Sequence, residues 1–213
     1  QWYTVSKRSR TYVEKIISKI SGEYFKNYQI NKIKSRDHGV DLYYGGNNEF
    51  FGYDKVIIAT HADEALAMIE NPSDLEKETL SNFSYKKNIA YIHTDQSVMP
   101  ENKKAWCSWN SSMKKNEIEK NSITYWLNLL QNLECEENIF LTLNPYFKIE
   151  ESKILKKVKF THPYFDQSAL DYQSKLKNLQ NKRNILFCGS YFGYGFHEDG
   201  IKSSIEMLKN LND

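Results

Sequence analysis

A glycine-rich stretch near the end of the chain carries the densest group of residues that could do chemistry. It runs from Gly189 to Ser204, and it includes the polar run His197-Glu198-Asp199. The apolar run Ile185–Cys188 before it is typical of a strand covered on both faces. A strand that ends in glycines and leads into a helix can present backbone N–H groups and the positive end of a dipole. We therefore expect this stretch to hold a phosphate or the electron-rich edge of a ring.

The segment after these glycines has helical periodicity. Apolar residues recur at positions that share one helix face, which predicts a helix from 201 to 211 packed through Ile201, Ile205, Leu208 and Leu211. Glu198 and Asp199 fall just before this helix or in its first turn, where carboxylates suit the positive end of the dipole.

The glycine spacing does not match the common nucleotide motifs. It departs from the dinucleotide spacing G-x-G-x-x-G. The run from Gly195 to Gly200 begins like a P-loop, but Ile201 stands where the phosphate-binding lysine belongs, and Lys202 follows one position late. A P-loop variant that binds a nucleotide stays open as an alternative, as does a glycine-rich loop without a ligand.

A second apolar run, Asp54–Thr60, predicts a buried strand that joins a parallel sheet. It has two interpretations. It is either a plain core strand, or a strand whose small terminal residues Ala59 and Thr60 allow close approach of a cofactor.

Large aromatic side chains are candidates for the wall of a substrate pocket. The candidates are Trp106, Trp109, Tyr125 and Tyr191. Trp106 and Trp109 are three residues apart, so on one strand they would point to opposite faces, and at most one would line a cleft. Core packing is the competing role for these rings.

The composition narrows the class of protein. The 213 residues carry 29 basic and 27 acidic side chains without a basic stripe, which speaks against a nucleic-acid partner. No apolar run is long enough to predict a transmembrane segment. The histidines and the three cysteines lack metal-ligand spacing, so we expect no metal. A sparse, odd number of cysteines fits a reducing compartment, and we expect a cytoplasmic protein.

The order of the patterns predicts an α/β (α+β) fold with two parts. A helix, a β-meander and the Asp54–Thr60 strand come first, then a mostly antiparallel sheet flanked by helices, and then the closing strand and helix. We predict one domain from residues 1–70 and 182–213, with a second domain, 71–181, inserted in it.

Several segments together resemble one family. The segment Tyr53–Asp63 resembles the D-x-V-I-x-A strand of FAD-dependent amine oxidases, and Cys188–Ser204 resembles their final flavin-binding motif. The pieces Ala105–Asn110, Leu141–Pro145 and His162–Asp166 resemble a bacterial branch of NAD/FAD-binding amine-oxidase-like proteins. The resemblance covers nearly the whole chain.

This resemblance implies an FAD-dependent oxidoreductase with an incomplete Rossmann-like FAD-binding domain and an inserted substrate domain. A small-molecule substrate would lose hydride to flavin N5, with the protein orienting and shielding the reactants. The implied cofactor-binding residues are Ala59, Thr60, Gly189, Ser190, Phe196, His197, Glu198, Asp199, Gly200 and Ile201. We expect the carboxylates of Glu198 and Asp199 to turn towards caps or a ribityl hydroxyl. Phe196 approximately matches a flavin-flanking aromatic, whereas no lysine matches the family's flavin-bridging lysine.

One part of the family pattern is missing. No G-x-G-x-x-G unit for the FAD pyrophosphate is present, and Gln1–Val5 resembles a point well inside the family's chain. We therefore expect a C-terminal portion whose partner is the missing N-terminal segment, and which is inactive by itself. The alternative from another class is a non-catalytic lipid- or peptide-binding module with an aromatic-lined sheet.

Overall fold

The chain folds into two units, each built from two separated segments. The protein's structure, a computed structural model, describes residues 3–45, 49–114 and 117–211. One unit combines residues 1–24 with 87–161, and the other combines residues 25–86 with 162–213. The predicted division into a flavin-binding and a substrate domain concerns function, and it stays a prediction.

The described residues form both helices and strands. Up to residue 80 they are α1 (Arg8–Ile17), β1 (Ile30–Arg36), β2 (Gly39–Tyr44), β3 (Glu49–Tyr53), β4 (Val56–Ile58), α2 (Ala62–Met68) and α3 (Asp74–Leu80). The central elements are β5 (Ser84–His93), β6 (Trp109–Lys114), β7 (Glu117–Trp126), α4 (Leu127–Gln131), β8 (Phe140–Leu143) and β9 (Ile154–Tyr164). The chain closes with α5 (Gln167–Gln173), β10 (Ile185–Phe187) and α6 (His197–Leu208).

The predicted fold class is confirmed by this mixture of helices, a parallel strand pair and antiparallel sheets. Strands β1, β2 and β3 form the expected antiparallel meander. Of the predicted turn at Gly45–Asn48, only Gly45 lies within the described residues. Helix α6 begins at His197, four residues earlier than predicted. Trp106 does not lie on a strand, because β6 begins only at Trp109.

The parallel pair of β4 and β10 is the centre of the unit formed by residues 25–86 and 162–213. Val56 N–H donates to Asn184 O at 3.0 Å, and Cys188 N–H donates to Ile58 O at 3.1 Å. Apolar side chains from both strands, the meander and α2 are buried together around this pair: Ile33, Val40, Val56, Ile58, Ala62, Ala65, Ile69, Ile185 and Phe187. Burial of these residues stabilises the strand pair although each strand has only three residues.

The edge of β10 that faces away from β4 is closed by the chain itself. The Gln180 side-chain amide donates to Phe187 O at 2.8 Å and accepts from Phe187 N–H at 3.0 Å, as a neighbouring strand would. Ile185 N–H donates to Lys182 O at 3.1 Å, and Gly189 N–H donates to Ser203 Oγ at 2.9 Å. Both backbone groups of Phe187 and the N–H groups on either side of it therefore have partners at this edge.

A five-stranded sheet in the order β6-β7-β8-β5-β9 contains a buried chain of polar side chains. His93 Nδ1 accepts from Asp95 N–H at 3.2 Å, so the proton of the neutral ring lies on Nε2, 2.8 Å from Thr142 Oγ1. The Thr142 hydroxyl is 2.9 Å from that of Thr124. Burial lowers the pKa of His93, because the protonated ring would lose its hydration.

We predict that Gln180→Met destabilises the fold. The substitution keeps most of the volume but leaves the N–H and C=O of fully buried Phe187 without partners, a loss of about 2 to 4 kcal/mol in the free energy of unfolding. Urea unfolding measures this loss. The control is Gln167→Met, on the exposed side of α5, with an expected change below about 0.5 kcal/mol. An unchanged stability of Gln180→Met would show that the amide does not close this edge.

We also predict a loss of stability in acid that depends on His93. The folded-state pKa of His93 lies below the unfolded value of about 6.5, so the unfolded chain binds the proton more readily. The stability that the neutral His93 ring contributes is therefore fully present above the pKa of the unfolded chain. It is lost as the pH falls from there through the pKa of His93 in the folded protein. Urea unfolding at about pH 7.5 and about pH 5 should show a smaller acid loss in His93→Gln than in wild type. His38→Gln, at an exposed imidazole, should lose as much stability in acid as wild type.

Candidate functional site

The carboxyl ends of β4 and β10 bring together residues from two distant parts of the sequence. Ala59 and Thr60 follow β4, and Gly189 and Ser190 follow β10, which is its parallel neighbour. A side-chain carbon placed on Gly189 would lie 3.7 Å from Thr60 O. Ligands of parallel sheets bind beyond these carboxyl ends, so this end of the sheet is the candidate site.

The first turn of α6 forms the next part of the site. Asp199 N–H and Gly200 N–H both donate to Phe196 O, at 3.1 and 3.2 Å. The first N–H groups of a helix have no acceptor within it. Among the described residues, this leaves the N–H groups of His197 and Glu198 available to an acceptor outside the helix, and both residues are exposed.

Both carboxylates of this turn already have partners. Asp199 Oδ2 accepts from Tyr194 N–H and from Phe196 N–H, each at 3.0 Å, so it fixes the loop that leads into the helix. The expectation that it turns towards a cap is therefore confirmed. Glu198 pairs along the exposed helix surface with Lys202, at 3.6 Å. Lys202 is the residue that the P-loop alternative would need for phosphate.

Two glycines in this segment have opposite surroundings. A side-chain carbon on Gly193 would lie 2.4 Å from Asp199 Cγ, so the bond pattern of Asp199 requires glycine there. A side-chain carbon on Gly200 would meet only Ser190 N, at 3.9 Å. The backbone at Gly200 is therefore open to close approach by a flat group from outside.

Two positioning residues were not predicted from the sequence. The Gln173 amide donates to Tyr191 O at 3.2 Å and to Gly193 O, which holds the glycine-rich loop against α5. Tyr85 stacks on His61 with 4.2 Å between the ring centroids, and its hydroxyl accepts from Ala62 N–H. Burial raises the pKa of Tyr85 to about 12. No local pattern marks these residues, because their contacts join segments far apart in sequence.

The predicted pocket aromatics divide into different environments. Trp106 packs edge to face on Trp126 and Phe140, with its indole N–H donating to Pro100 O, so it has contacts typical of packing. Trp109 is 57% exposed, and its ring contacts that of Tyr125 on the neighbouring strand. Trp109 lines both a groove of about 700 Å³ beside α4 and a smaller one of about 250 Å³ that Tyr125 also lines.

Tyr191 belongs to the other unit and is 3% exposed. Its ring contacts Phe83 with 5.3 Å between centroids, within the main apolar core. Burial raises the pKa of Tyr191, and among the described residues its hydroxyl finds no partner. The assignment of Tyr191 to a substrate pocket stays a prediction.

The described residues contain neither a metal-ligand cluster nor a membrane-spanning helix. Within residues 3–45, 49–114 and 117–211, no three His, Cys, Asp or Glu side chains cluster as metal ligands would. In the same residues, no helix has both the length and the apolar character needed to cross a membrane.

Comparison with known proteins identifies the fold of this chain through solved structures alone. No family model matches the sequence, and no curated protein matches it either. Among solved structures, a CLA-producing fatty acid isomerase from P. acnes matches with a TM-score of 0.66 and 14% identity, over 94% of this chain and 51% of that one. Putrescine oxidase bound to putrescine matches with a TM-score of 0.65 and 9% identity, over 97% of this chain and 53% of that one.

Cyclohexylamine oxidase from Brevibacterium oxydans matches with a TM-score of 0.55 and 8% identity, over 87% of this chain and 49% of that one. The chain therefore shares its fold with these two amine oxidases and with the fatty acid isomerase. It spans about half the length of the structures it matches. The identities of 14% and below establish the fold, and the activity needs separate evidence.

We predict opposite effects of alanine at the two glycines of the site. Gly193→Ala should displace Asp199 and cost about 1 to 3 kcal/mol of stability, because two loop N–H groups lose their acceptor. Gly200→Ala should be neutral or stabilise by up to about 1 kcal/mol, since alanine favours a helix and has room here. Urea unfolding of both variants checks the pair. Equal stability of the two would contradict the role given to Asp199.

Proposed function

We propose that this chain forms about half of an FAD-dependent oxidoreductase with an amine-oxidase-type fold, and that the whole protein oxidises a small-molecule substrate by hydride transfer to flavin N5. The observation that carries the proposal is the meeting of the β4 and β10 carboxyl ends with the open backbone at Gly200. The fold similarity to amine-oxidase-type flavoproteins supports the choice of cofactor.

The residues of the site fit a flavin ring in shape. The space at Gly200 is free of side chains, so the helix start can lie directly against a flat ring. Ala59 and Thr60, which are exposed and small, leave room at the neighbouring strand end. FAD supplies the hydride acceptor when bound, and the chain's own groups orient and shield it.

The residues also fit a flavin ring in charge. The N–H groups of His197 and Glu198, at the positive end of the helix dipole, suit a ring edge that becomes electron-rich on reduction, an effect of about 1 kcal/mol. Asp199 would oppose such charge, but its Oδ2 accepts two loop N–H groups, and Glu198 is paired with Lys202. Because both carboxylates have partners of their own, Glu198 and Asp199 are compatible with an electron-rich ligand at the helix start.

The remaining predicted roles belong to this proposal. Residues 1–70 and 182–213 contribute to the FAD-binding domain, and residues 71–181 contribute the substrate domain. The remaining half of the protein holds the FAD pyrophosphate and ribose. Trp109 and Tyr125 contribute to the wall of the substrate pocket, supported by their contact and by the groove between them.

A second candidate function is a non-catalytic module that binds a lipid or peptide on its aromatic sheet. It is favoured by Trp109, which is 57% exposed and lines a groove beside α4 as well as a smaller groove on the β6–β7 hairpin. The two candidates differ in cofactor content, because only the oxidoreductase retains flavin.

We expect the full-length protein to show flavin absorbance in the visible range once it is purified and folded. Gly200→Val should abolish FAD retention and leave the far-ultraviolet circular dichroism unchanged, since the added methyl groups fill the space for the ring. Lys202→Ala, in the same helix turn but paired on the exposed surface, is the matched control and should retain FAD.

A folded wild-type protein that has no flavin absorbance, and that gains none with added FAD, would exclude the oxidoreductase proposal and favour the binding module. Normal flavin content in Gly200→Val would show that the ring does not lie against Gly200.

A further inference from the structure

A pocket in the unit formed by residues 1–24 and 87–161 is distinct from the candidate site at β4 and β10. Its volume is about 380 Å³, near the lower end of the range for small-molecule pockets. Its apolar walls include the rings of Tyr91 and Phe147 and the side chains of Ile149 and Ile154. The pocket therefore has room for a small organic molecule and offers it apolar surface.

The pocket and the aromatic pair Trp109 and Tyr125 lie on opposite faces of the five-stranded sheet. Tyr91 is the register partner of Thr142, which pairs in turn with Thr124, so these three side chains share one face. Tyr125 is the next residue of β7, and side chains alternate between the two faces along a strand. The pocket is therefore separate from the groove that Trp109 and Tyr125 line.

Two ammonium groups and one carboxylate also line this pocket. They belong to Lys148, Lys157 and Glu151, which are all exposed. Lys157 Nζ lies 5.0 Å from the centroid of the Tyr91 ring. Within the described part of the chain, neither lysine forms an ion pair with a carboxylate, whereas the neighbouring Lys153 does. The charged groups of the pocket therefore leave one positive charge unbalanced near pH 7.

The loop between β8 and β9, which carries most of the lining residues, is fixed at both of its ends. At its start, the Ser122 hydroxyl donates to Asn144 O at 2.9 Å and accepts from Tyr146 N–H at 3.2 Å. Towards its end, the buried carboxylate of Asp95 accepts from Glu150 N–H at 3.0 Å. The walls are therefore in place before a ligand arrives, which lowers the entropic cost of binding.

We propose that this pocket binds a small organic acid with one negative charge, whose apolar body packs on Tyr91 and Phe147 and whose carboxylate lies beside Lys148 and Lys157. The unbalanced positive charge selects an anion over an amine. The apolar walls select an anion with an apolar body, because a fully hydrated inorganic ion would lose water without gaining partners there. The single unbalanced charge matches one carboxylate. This site lies outside the proposed flavin site and does not depend on the cofactor.

Calorimetric titration of the full-length protein with hydrocinnamate, a benzene ring joined by a short chain to a carboxylate, tests the proposal. We expect a dissociation constant below about 1 mM. Hydrocinnamide lacks the charge and sulfate lacks the apolar body, so each should bind at least about 10-fold more weakly. Raising the ionic strength should weaken the binding of hydrocinnamate, because salt screens the two lysines.

Two substitutions in the pocket should change the affinity for hydrocinnamate in opposite directions. Lys157→Met keeps the apolar stem but removes the charge, and it should weaken binding at least about 5-fold. Glu151→Gln removes the opposing carboxylate and should tighten binding by about 2- to 5-fold. Lys156→Met is the matched control. It lies next to Lys157 on β9, is exposed and points to the other sheet face, so the dissociation constant should stay unchanged.

The absence of measurable hydrocinnamate binding would overturn the proposal, as would equal binding of hydrocinnamate and hydrocinnamide. Sulfate that binds as tightly as hydrocinnamate would reveal a plain anion site and would also contradict it. Binding that is lost in Trp109→Ala but kept in Lys157→Met would place the acid in the groove on the other sheet face. None of these measurements depends on flavin content, so a failure here and a failure of the proposed function are distinguishable.

Discussion

The candidate site depends on the pairing of two three-residue strands that are more than a hundred residues apart in sequence. β4 and β10 are held by a few backbone hydrogen bonds, and burial of Val56, Ile58, Ile185 and Phe187 stabilises them. Their parallel sense puts both carboxyl ends at one edge, which brings Thr60 O close to Gly189. The pairing of these strands is what brings the small residues after β4 close to the glycines after β10.

A second constraint fixes the backbone between β10 and α6. The Asp199 carboxylate accepts two N–H groups from the loop, and Gly193 leaves the space for it. Helical bonding also starts at this point of the chain. The Asp199 carboxylate fixes Phe196, and Phe196 O accepts from Asp199 N–H and Gly200 N–H, so α6 begins at His197, four residues earlier than the apolar periodicity predicts.

Features that depend on local pattern could be predicted from the sequence, and features that depend on distant contacts could not. The apolar runs of β4 and β10 and the alternation of β2 reveal strands, because burial on one or two faces leaves a direct trace in residue type. The Gln180 amide that closes the edge of β10, and the polar chain that begins at His93, join segments that only the folded chain brings together. Trp106 follows a short 3-10 turn and does not share a strand with Trp109, and its indole N–H donates to Pro100 O, a contact that the residue types do not predict.

The prediction that α6 packs through Ile201, Ile205 and Leu208 is wrong, because α6 buries Ser203 and Met207 instead. Periodicity in the sequence records the surfaces that are covered in the functional state of a protein, including those covered by other segments. The stripe at Ile201, Ile205 and Leu208 has the spacing of a packed helix face, yet these residues are exposed beside the face that packs on β10.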